Sequence, residues 1–266
     1  MNIQKTYSTN TKFYITPKLY ILGEKCYYEQ KRKDITVTTK NWHHYWIDYG
    51  WEKIDDIWIR RLNKHALEKP RNNLFGSLDC GAEGDCLFHC IAESLNQEYS
   101  IPKWDAQDIR NKTAECITDE NFKNIIEIYK LQVDSLEFEE LWEPYSINSK
   151  EELRHVIGTM GNLFWGDHIS IQLLCNLFEI NIILLQRNSP LMYSKEEIRD
   201  KSKIYPLGLD LNTNYKTILL HYEDTIHFTL IGYYNGRSMK SLFKWNEIPE
   251  EILQIYNIDC LSDYSR

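Results

Sequence analysis

No part of this 266-residue chain approaches the roughly 18 consecutive apolar residues that a membrane-spanning helix needs. Met1 to Pro17 is interrupted by Lys5 and Lys12 and has no apolar run, so neither an export leader nor an anchor is expected there. No Cys-x-x-Cys pair occurs, which removes the usual half of a structural zinc site. The seven cysteines (Cys26, Cys80, Cys86, Cys90, Cys116, Cys175 and Cys260) are an odd set, and several lie inside apolar patterns. They argue against a disulfide framework and for a reducing, intracellular, cytoplasmic setting. Internal repeats are absent, which leaves a non-repetitive globular fold.

What is present is ordinary in amount and uneven in placement. Hydrophobic residues make up 42% and charged residues 26%, the range of a folded soluble domain, and the length suits one main core with an extension. The net charge is −8, but residues 1–33 carry seven Lys or Arg against two Glu, a local +5 that leaves about −13 on the remainder. An acidic body repels a phosphate backbone and attracts a basic polypeptide, so a protein partner is expected and nucleic acid is not. The abundance of Asn, Lys, Ile and Tyr suits an AT-rich genome and raises the hypothesis of a viral or bacterial effector working in host cytoplasm.

Periodicity divides the chain into four parts. Residues 1–40 read as a basic, partly ordered extension with strands around Lys18–Leu22 and Ile35–Thr38. Residues 41–70 carry Trp42, Trp46, Trp51, Ile54, Trp58 and Leu62 at spacings of three to five, which predicts a helix packed on the core by this stripe. Residues 71–240 form the main domain and 241–266 a helical tail. Within the main domain, Pro70 and Asn72–Asn73 end the Trp segment, and helices are predicted at Cys86–Leu95, Trp104–Ile117, Asn121–Tyr129 and Leu136–Trp142. A capping box, Ser149-x-x-Glu152, opens another. The helix Asp167–Phe178, with Ile169, Leu173 and Leu177 on one face, leads into a buried strand ending at Leu185. Thr217–Tyr222 and Ile226–Tyr233 spell a hairpin, so the core is layered α/β.

One segment combines what activates a thiol: a lowered pKa, a base nearby, and donors for the oxyanion. Cys86 opens a predicted helix, where unpaired N–H groups and the macrodipole favour negative charge, with Asp85 placed as an N-cap. It follows the loop Gly81 to Asp85, whose backbone N–H groups could face an oxyanion. Taken alone, such a cysteine is more often a packed structural residue, because free cysteine is among the most buried residue types. His227 stands between Ile226 and Phe228 in an apolar strand, on the face of Thr229 and Ile231, where an imidazole has little packing reason to be. A cysteine at a core-helix start and a histidine on a distant strand is the general arrangement of papain-like thiol enzymes. His221 is the rival; next to Glu223 and Asp224 it reads as a surface histidine at a strand end, so His227 is preferred.

The segment Ala82-Glu83-Gly84-Asp85-Cys86-Leu87-Phe88-His89 resembles the nucleophile motif of ovarian-tumour (OTU) deubiquitinases, usually Asp-Gly-Asn/Asp-Cys-Leu-Phe. Trp165-Gly166-Asp167 is similar to the family's Trp-Gly-Gly before a helix and a strand, and His227-Phe228 to its catalytic histidine followed by an aromatic residue. The likeness spans Leu74 to Tyr233, with 104–158 matched only in kind. It implies a papain-like α/β (α+β) fold, a small central β-sheet flanked by helices, with 71–240 as the OTU-like catalytic domain. It implies a thiol-dependent ubiquitinyl hydrolase that cleaves ubiquitin or ubiquitin-like conjugates through a thioester. Cys86 would be the nucleophile, His227 base and then acid, and the Glu83–Asp85 loop, with Gly84 and Asp85, the oxyanion segment. A monomer with a ubiquitin or ubiquitin-like partner and without cofactor or metal is implied.

Two positions depart from the pattern. Glu83 stands where the motif carries Asp, and Thr229 where relatives often carry Asp or Asn. Glu83 is therefore the first candidate for the third catalytic member, with Asp79, Asp224 and Thr229 behind it. A second reading is a catalytically weak or inactive OTU-like domain that binds ubiquitin or another partner. A third is a papain-like peptidase or acyl transferase with a different substrate. Zinc held by Cys80, Cys86, His89 and Cys90 does not fit the spacings.

Overall fold

The computed structural model describes residues 11–65, 74–138, 140–186, 205–207, 211–223 and 227–255. Strands β1 (Phe13–Tyr14), β2 (Leu19–Leu22), β3 (Lys25–Tyr28) and β4 (Ile35–Val37) form an antiparallel sheet in that order. β3 did not read as a strand because only Cys26 of its four residues is buried, too little for an alternation. Leu19, Cys26 and Val37 join the main hydrophobic core, and the Tyr234 hydroxyl donates to the Val37 carbonyl at 3.2 Å.

The segment from Trp42 onward is not the single helix its spacing suggested. Two 3-10 turns (Trp42–His44 and Trp46–Tyr49) are followed by β5 (Trp51–Lys53) and α1 (Asp56–His65). Gly50, at φ 97°, takes the left-handed conformation that ends the second turn, and Trp51 then pairs with Leu78. All six apolar residues of the stripe are at most 3% exposed, but Trp42, Trp46 and Trp51 enter one core and Ile54, Trp58 and Leu62 another. A straight helix has one buried stripe and could not serve both. The expected breaks at Pro70 and Asn72–Asn73 lie outside the described residues.

β6 (Phe75–Leu78), α2 (Cys86–Asn96), α3 (Ala106–Glu115), α4 (Phe122–Asp134), α5 (Lys150–Gly158), α6 (His168–Phe178) and β7 (Ile180–Gln186) follow. Their starts are locally encoded: Asp105 and Asp108 form a capping box, Ser149 accepts from the Glu152 N–H, and Asp167 from the Ser170 N–H. The helix expected over Leu136–Trp142 does not form. Leu136 has φ 61°, and the N–H groups of Leu136 and Glu137 turn back to the carbonyls of Val133 and Gln132, which closes α4. Phe138 and Trp142 instead pack edge-on against Tyr129. In α6 the buried side is Ile171, Leu174 and Cys175 together with Ile169, whereas Leu177 is 37% exposed. Two stripes of similar apolarity were available, and docking on β7 selected the one the spacing argument did not.

β8 (Tyr205–Leu207), β9 (Lys216–Glu223), β10 (His227–Tyr234), β11 (Met239–Lys240), β12 (Leu242–Phe243) and α7 (Glu250–Ile255) complete the chain. The main sheet runs β5-β6-β10-β9-β7-β8, with β11 beside β10 and β12 beside β9, and among the described residues its one parallel pair is β7 with β9. Alternation divides the inner strands between two cores. Ile182, Leu184, Ile218, Leu220, Phe228 and Leu230 face the core shared with α2, whereas Ile183, Leu185, Leu219 and Ile231 face that shared with α1 and α7. The result is a sheet with helices on both faces, the mixed α/β architecture expected. Residues 241–255 supply a strand as well as helix, and 256–266 lie outside the described residues.

Candidate active site

The chain leaves β6 at Leu78 and reaches α2 through a loop with three positive φ angles: Gly81 at 143°, Glu83 at 62° and Gly84 at 87°. At Gly84 a side chain would collide with the Gly161 carbonyl, so only glycine permits this approach. Glu83 has no such exemption, and an L-residue in the left-handed region costs roughly 1–2 kcal/mol. The loop aims the first turn of α2 at β10. Cys86 is 2% exposed, and its sulfur receives the Phe228 N–H at 3.4 Å. Burial raises the thiol pKa above its usual value, while hydrogen bonds from the N–H groups of Phe228, Leu87 and Cys86 itself lower it by less.

His227 is the first residue of β10, beside the thiol through its neighbour Phe228. Its Nε2 lies 3.2 Å from Asp79 Oδ1, an oxygen that also accepts the Gly81 N–H at 3.1 Å. If Nε2 carries the proton toward Asp79, Nδ1 is left as the basic nitrogen. Among the described residues, then, the carboxylate that meets His227 is Asp79, not Glu83, which is exposed farther along the loop. The Thr229 hydroxyl is engaged by Ser77 at 3.0 Å, and Asp224 lies outside the described residues.

His221 is not the surface residue its neighbours suggested. It is 4% exposed and its Nε2 accepts from Trp58 Nε1 at 3.0 Å, on the sheet face opposite α2. Strand alternation does not separate the two histidines, since His221 pairs with Thr229, two residues from His227. What separates them is place, His227 adjoining the Phe228 N–H that meets the Cys86 sulfur and His221 engaged by Trp58.

Asp85 occupies the N-cap position of α2 without capping it. Its carboxylate instead pairs with Arg110 Nε through Oδ1 and accepts the Gly161 N–H at 2.9 Å through Oδ2. Arg110, fully buried on α3, also donates to the carbonyls of Gly84 (3.0 Å), Ile157 (2.9 Å) and Phe164 (2.7 Å). Removing one partner of such a buried pair typically costs about 3–5 kcal/mol, because the other charge is stranded. Arg110 was missed from the sequence, although a signal existed: it shares its helix face with Ala106, Ile109, Thr113 and Ala114, a stripe that otherwise reads as core.

A thiol at the N-terminus of the core helix, set against a histidine-bearing strand, defines the papain-like class of cysteine proteases. Within that class, the model of the OTU-like cysteine protease family matches residues 81–228, more than half of the chain, which therefore belongs to this family. The matched segment contains Cys86, Arg110 and His227, and Asp79 lies just before it. No curated protein matches the sequence. Similar solved folds include an OTU domain in complex with ubiquitin, 16% identical, with TM-score 0.42 over 68% of this chain and 84% of that one. An OTU deubiquitinase from Wolbachia pipientis is 17% identical, with TM-score 0.38 over 64% and 95%. The viral OTU protease of Qalyub virus is 13% identical, with TM-score 0.37 over 59% and 83%. Among the described residues no helix is long and apolar enough to cross a membrane.

Proposed function

We propose that this chain is a thiol-dependent ubiquitinyl hydrolase that cleaves isopeptide bonds at the C-terminus of ubiquitin or a ubiquitin-like protein. The reading is carried by one junction, where the Phe228 N–H lies 3.4 Å from Cys86 Sγ while the adjacent His227 meets Asp79 at 3.2 Å. Membership of the OTU-like cysteine proteases supports the chemistry, and the motifs around Cys86, Trp165 and His227 support ubiquitin as the substrate class.

In this scheme His227 takes the Cys86 proton and the thiolate attacks the carbonyl carbon of the isopeptide. N–H groups of the Glu83–Asp85 loop receive the oxyanion. As the tetrahedral species collapses, the C–N bond breaks and the imidazolium gives its proton to the leaving lysine amine, which leaves a thioester. His227 then deprotonates water, the hydroxide attacks the thioester, and the carboxylate departs as Cys86 is restored. Asp79 replaces Glu83 as the proposed orienting carboxylate. The setting kept in this proposal is a monomer in a reducing cytoplasm, without nucleic acid or cofactor.

One feature favours the alternative of a binding domain with weak turnover: the nucleophile is 2% exposed and burial holds its pKa up. Ubiquitin bearing a C-terminal electrophile separates the two. A covalent adduct on the wild type and none on Cys86→Ala, read by intact mass, is expected; a folded wild type that binds ubiquitin without forming the adduct would establish the binding domain instead.

A further inference from the structure

Arg110 connects the nucleophile loop to two segments that are distant in sequence. Its Nη2 donates to the carbonyls of Gly84 (3.0 Å) and Phe164 (2.7 Å), and lies 3.4 Å from that of Gly161. Nη1 donates to the Ile157 carbonyl at 2.9 Å, and Nε pairs with Asp85. The guanidinium carbon lies 4.3 Å from the centre of the Phe88 ring, within the first turn of the nucleophile helix. One planar fork therefore joins residues 84–85, the end of α5 and the turn at 161–164.

The direction of this contact bears on the reaction. A trans peptide unit is planar, so its C=O and N–H point to opposite sides. With the Gly84 carbonyl held on Arg110, the Asp85 N–H must lie on the side away from the guanidinium. Its acceptor within the loop, the Ala82 carbonyl, is 3.4 Å away, long for an N–H···O bond. Rotation of this peptide unit turns ψ of Gly84 and φ of Asp85, and Gly84, without a Cβ, offers it little steric resistance unless the carbonyl is retained. After such a rotation a carbonyl oxygen would face the developing oxyanion in place of an N–H.

We propose that Arg110 is a positioning residue for acyl transfer: by holding the Gly84 carbonyl it keeps the Gly84–Asp85 peptide with its N–H turned away from the guanidinium, on the side where its long bond to Ala82 can yield to an oxyanion. The inference rests on the hydrolase reading above. Lysine at this position keeps the charge but presents a single point of donation, which cannot span three carbonyls and a carboxylate.

The test compares two reactions of one thiol in the full chain. Alkylation of Cys86 by iodoacetamide, followed by peptide mass, forms no oxyanion, whereas hydrolysis of a fluorogenic amide at the ubiquitin C-terminus does. For Arg110→Lys, alkylation and KM should stay within about threefold of wild type while kcat falls about 100-fold, the size of a lost oxyanion donor. The double variant R110Q/D85N leaves no stranded charge and should show the same split if the lysine variant does not fold. Amide hydrogen exchange at residues 81–86 should accelerate in either variant while β10 stays protected. A folded variant with unchanged kcat, alkylation falling in step with hydrolysis, or unaltered exchange would each overturn the proposal. A wild type that hydrolyses no ubiquitin substrate would count against the hydrolase reading alone, because the exchange measurement needs no turnover.

Discussion

The two sides of Cys86 are held in different ways. Toward α3 and α5, Arg110 is fully buried and ties Asp85, Gly84, Ile157 and Phe164 into one network. Toward β6, the Asp79 side chain is 70% exposed and that of His227 25%, and they share one contact of 3.2 Å. Buried groups with several partners move only together, because each broken bond leaves an unsatisfied polar group in low dielectric. An exposed pair is screened by water and is worth about 0–1 kcal/mol. Under the proposed function, Cys86 and its loop would thus be set before substrate arrives, while His227 and Asp79 would gain strength when a bound polypeptide excludes water.

Four measurements sharpen or break this contrast. The largest effect is expected from His227→Ala, which should lower kcat by about 100- to 10,000-fold with little change in melting temperature. Near-normal hydrolysis would remove the base from β10. Next, Asp79→Asn should slow hydrolysis about tenfold or more and Glu83→Gln by less than about twofold; the reverse order would return the orienting role to Glu83.

The third measurement concerns the other histidine of the hairpin. Because His221 is buried against Trp58, His221→Ala should lower stability in denaturant titration by about 2–4 kcal/mol and leave kcat of the folded protein nearly unchanged. A large loss of kcat without loss of stability would make His221 the catalytic imidazole.

The smallest effect lies on the buried side. Burial raises the Glu140 carboxyl pKa from 4.5 to about 7, and the hydrogen bonds from Trp142 Nε1 and the Trp165 N–H oppose this. Folding thus favours the protonated form, whose contribution is complete below pH 4.5 and is lost as the pH rises through about 7. Glu140→Gln, which cannot ionise, should therefore match wild type near pH 4.5 and be more stable above pH 8 by on the order of 1–3 kcal/mol. A pH-independent difference between the two would show that Glu140 does not ionise across this range.

Much of the fold was legible because the signals are local. Ser149 and Asp167 cap the helices they were expected to open, and the runs at Ile180 and Thr217 form neighbouring strands. The Trp segment was misread because spacings of three to five suit a helix and a chain bent at Gly50 equally well. The absent helix after α4 has the same origin: Leu136 carries an apolar side chain and a backbone that only closes a helix. In the candidate site, Cys86 and His227 were singled out from the sequence and the structure brings the Phe228 N–H beside His227 to the Cys86 sulfur, whereas Arg110 was passed over because a charged residue in a mixed helix is ordinarily solvated.

That a thiol would open a core helix after a glycine loop, and that an imidazole would stand in the second strand of a hairpin, was determined by the sequence itself, since periodicity, capping and turn chemistry act over a few residues. Which carboxylate meets His227, which histidine is buried, and what holds the loop were decided only in three dimensions. Asp79 and His227 are 148 residues apart, and Asp85 and Arg110 are 25 apart. Several carboxylates and two histidines were chemically eligible, and only the order of strands in the sheet and the docking of α3 against the loop selected among them.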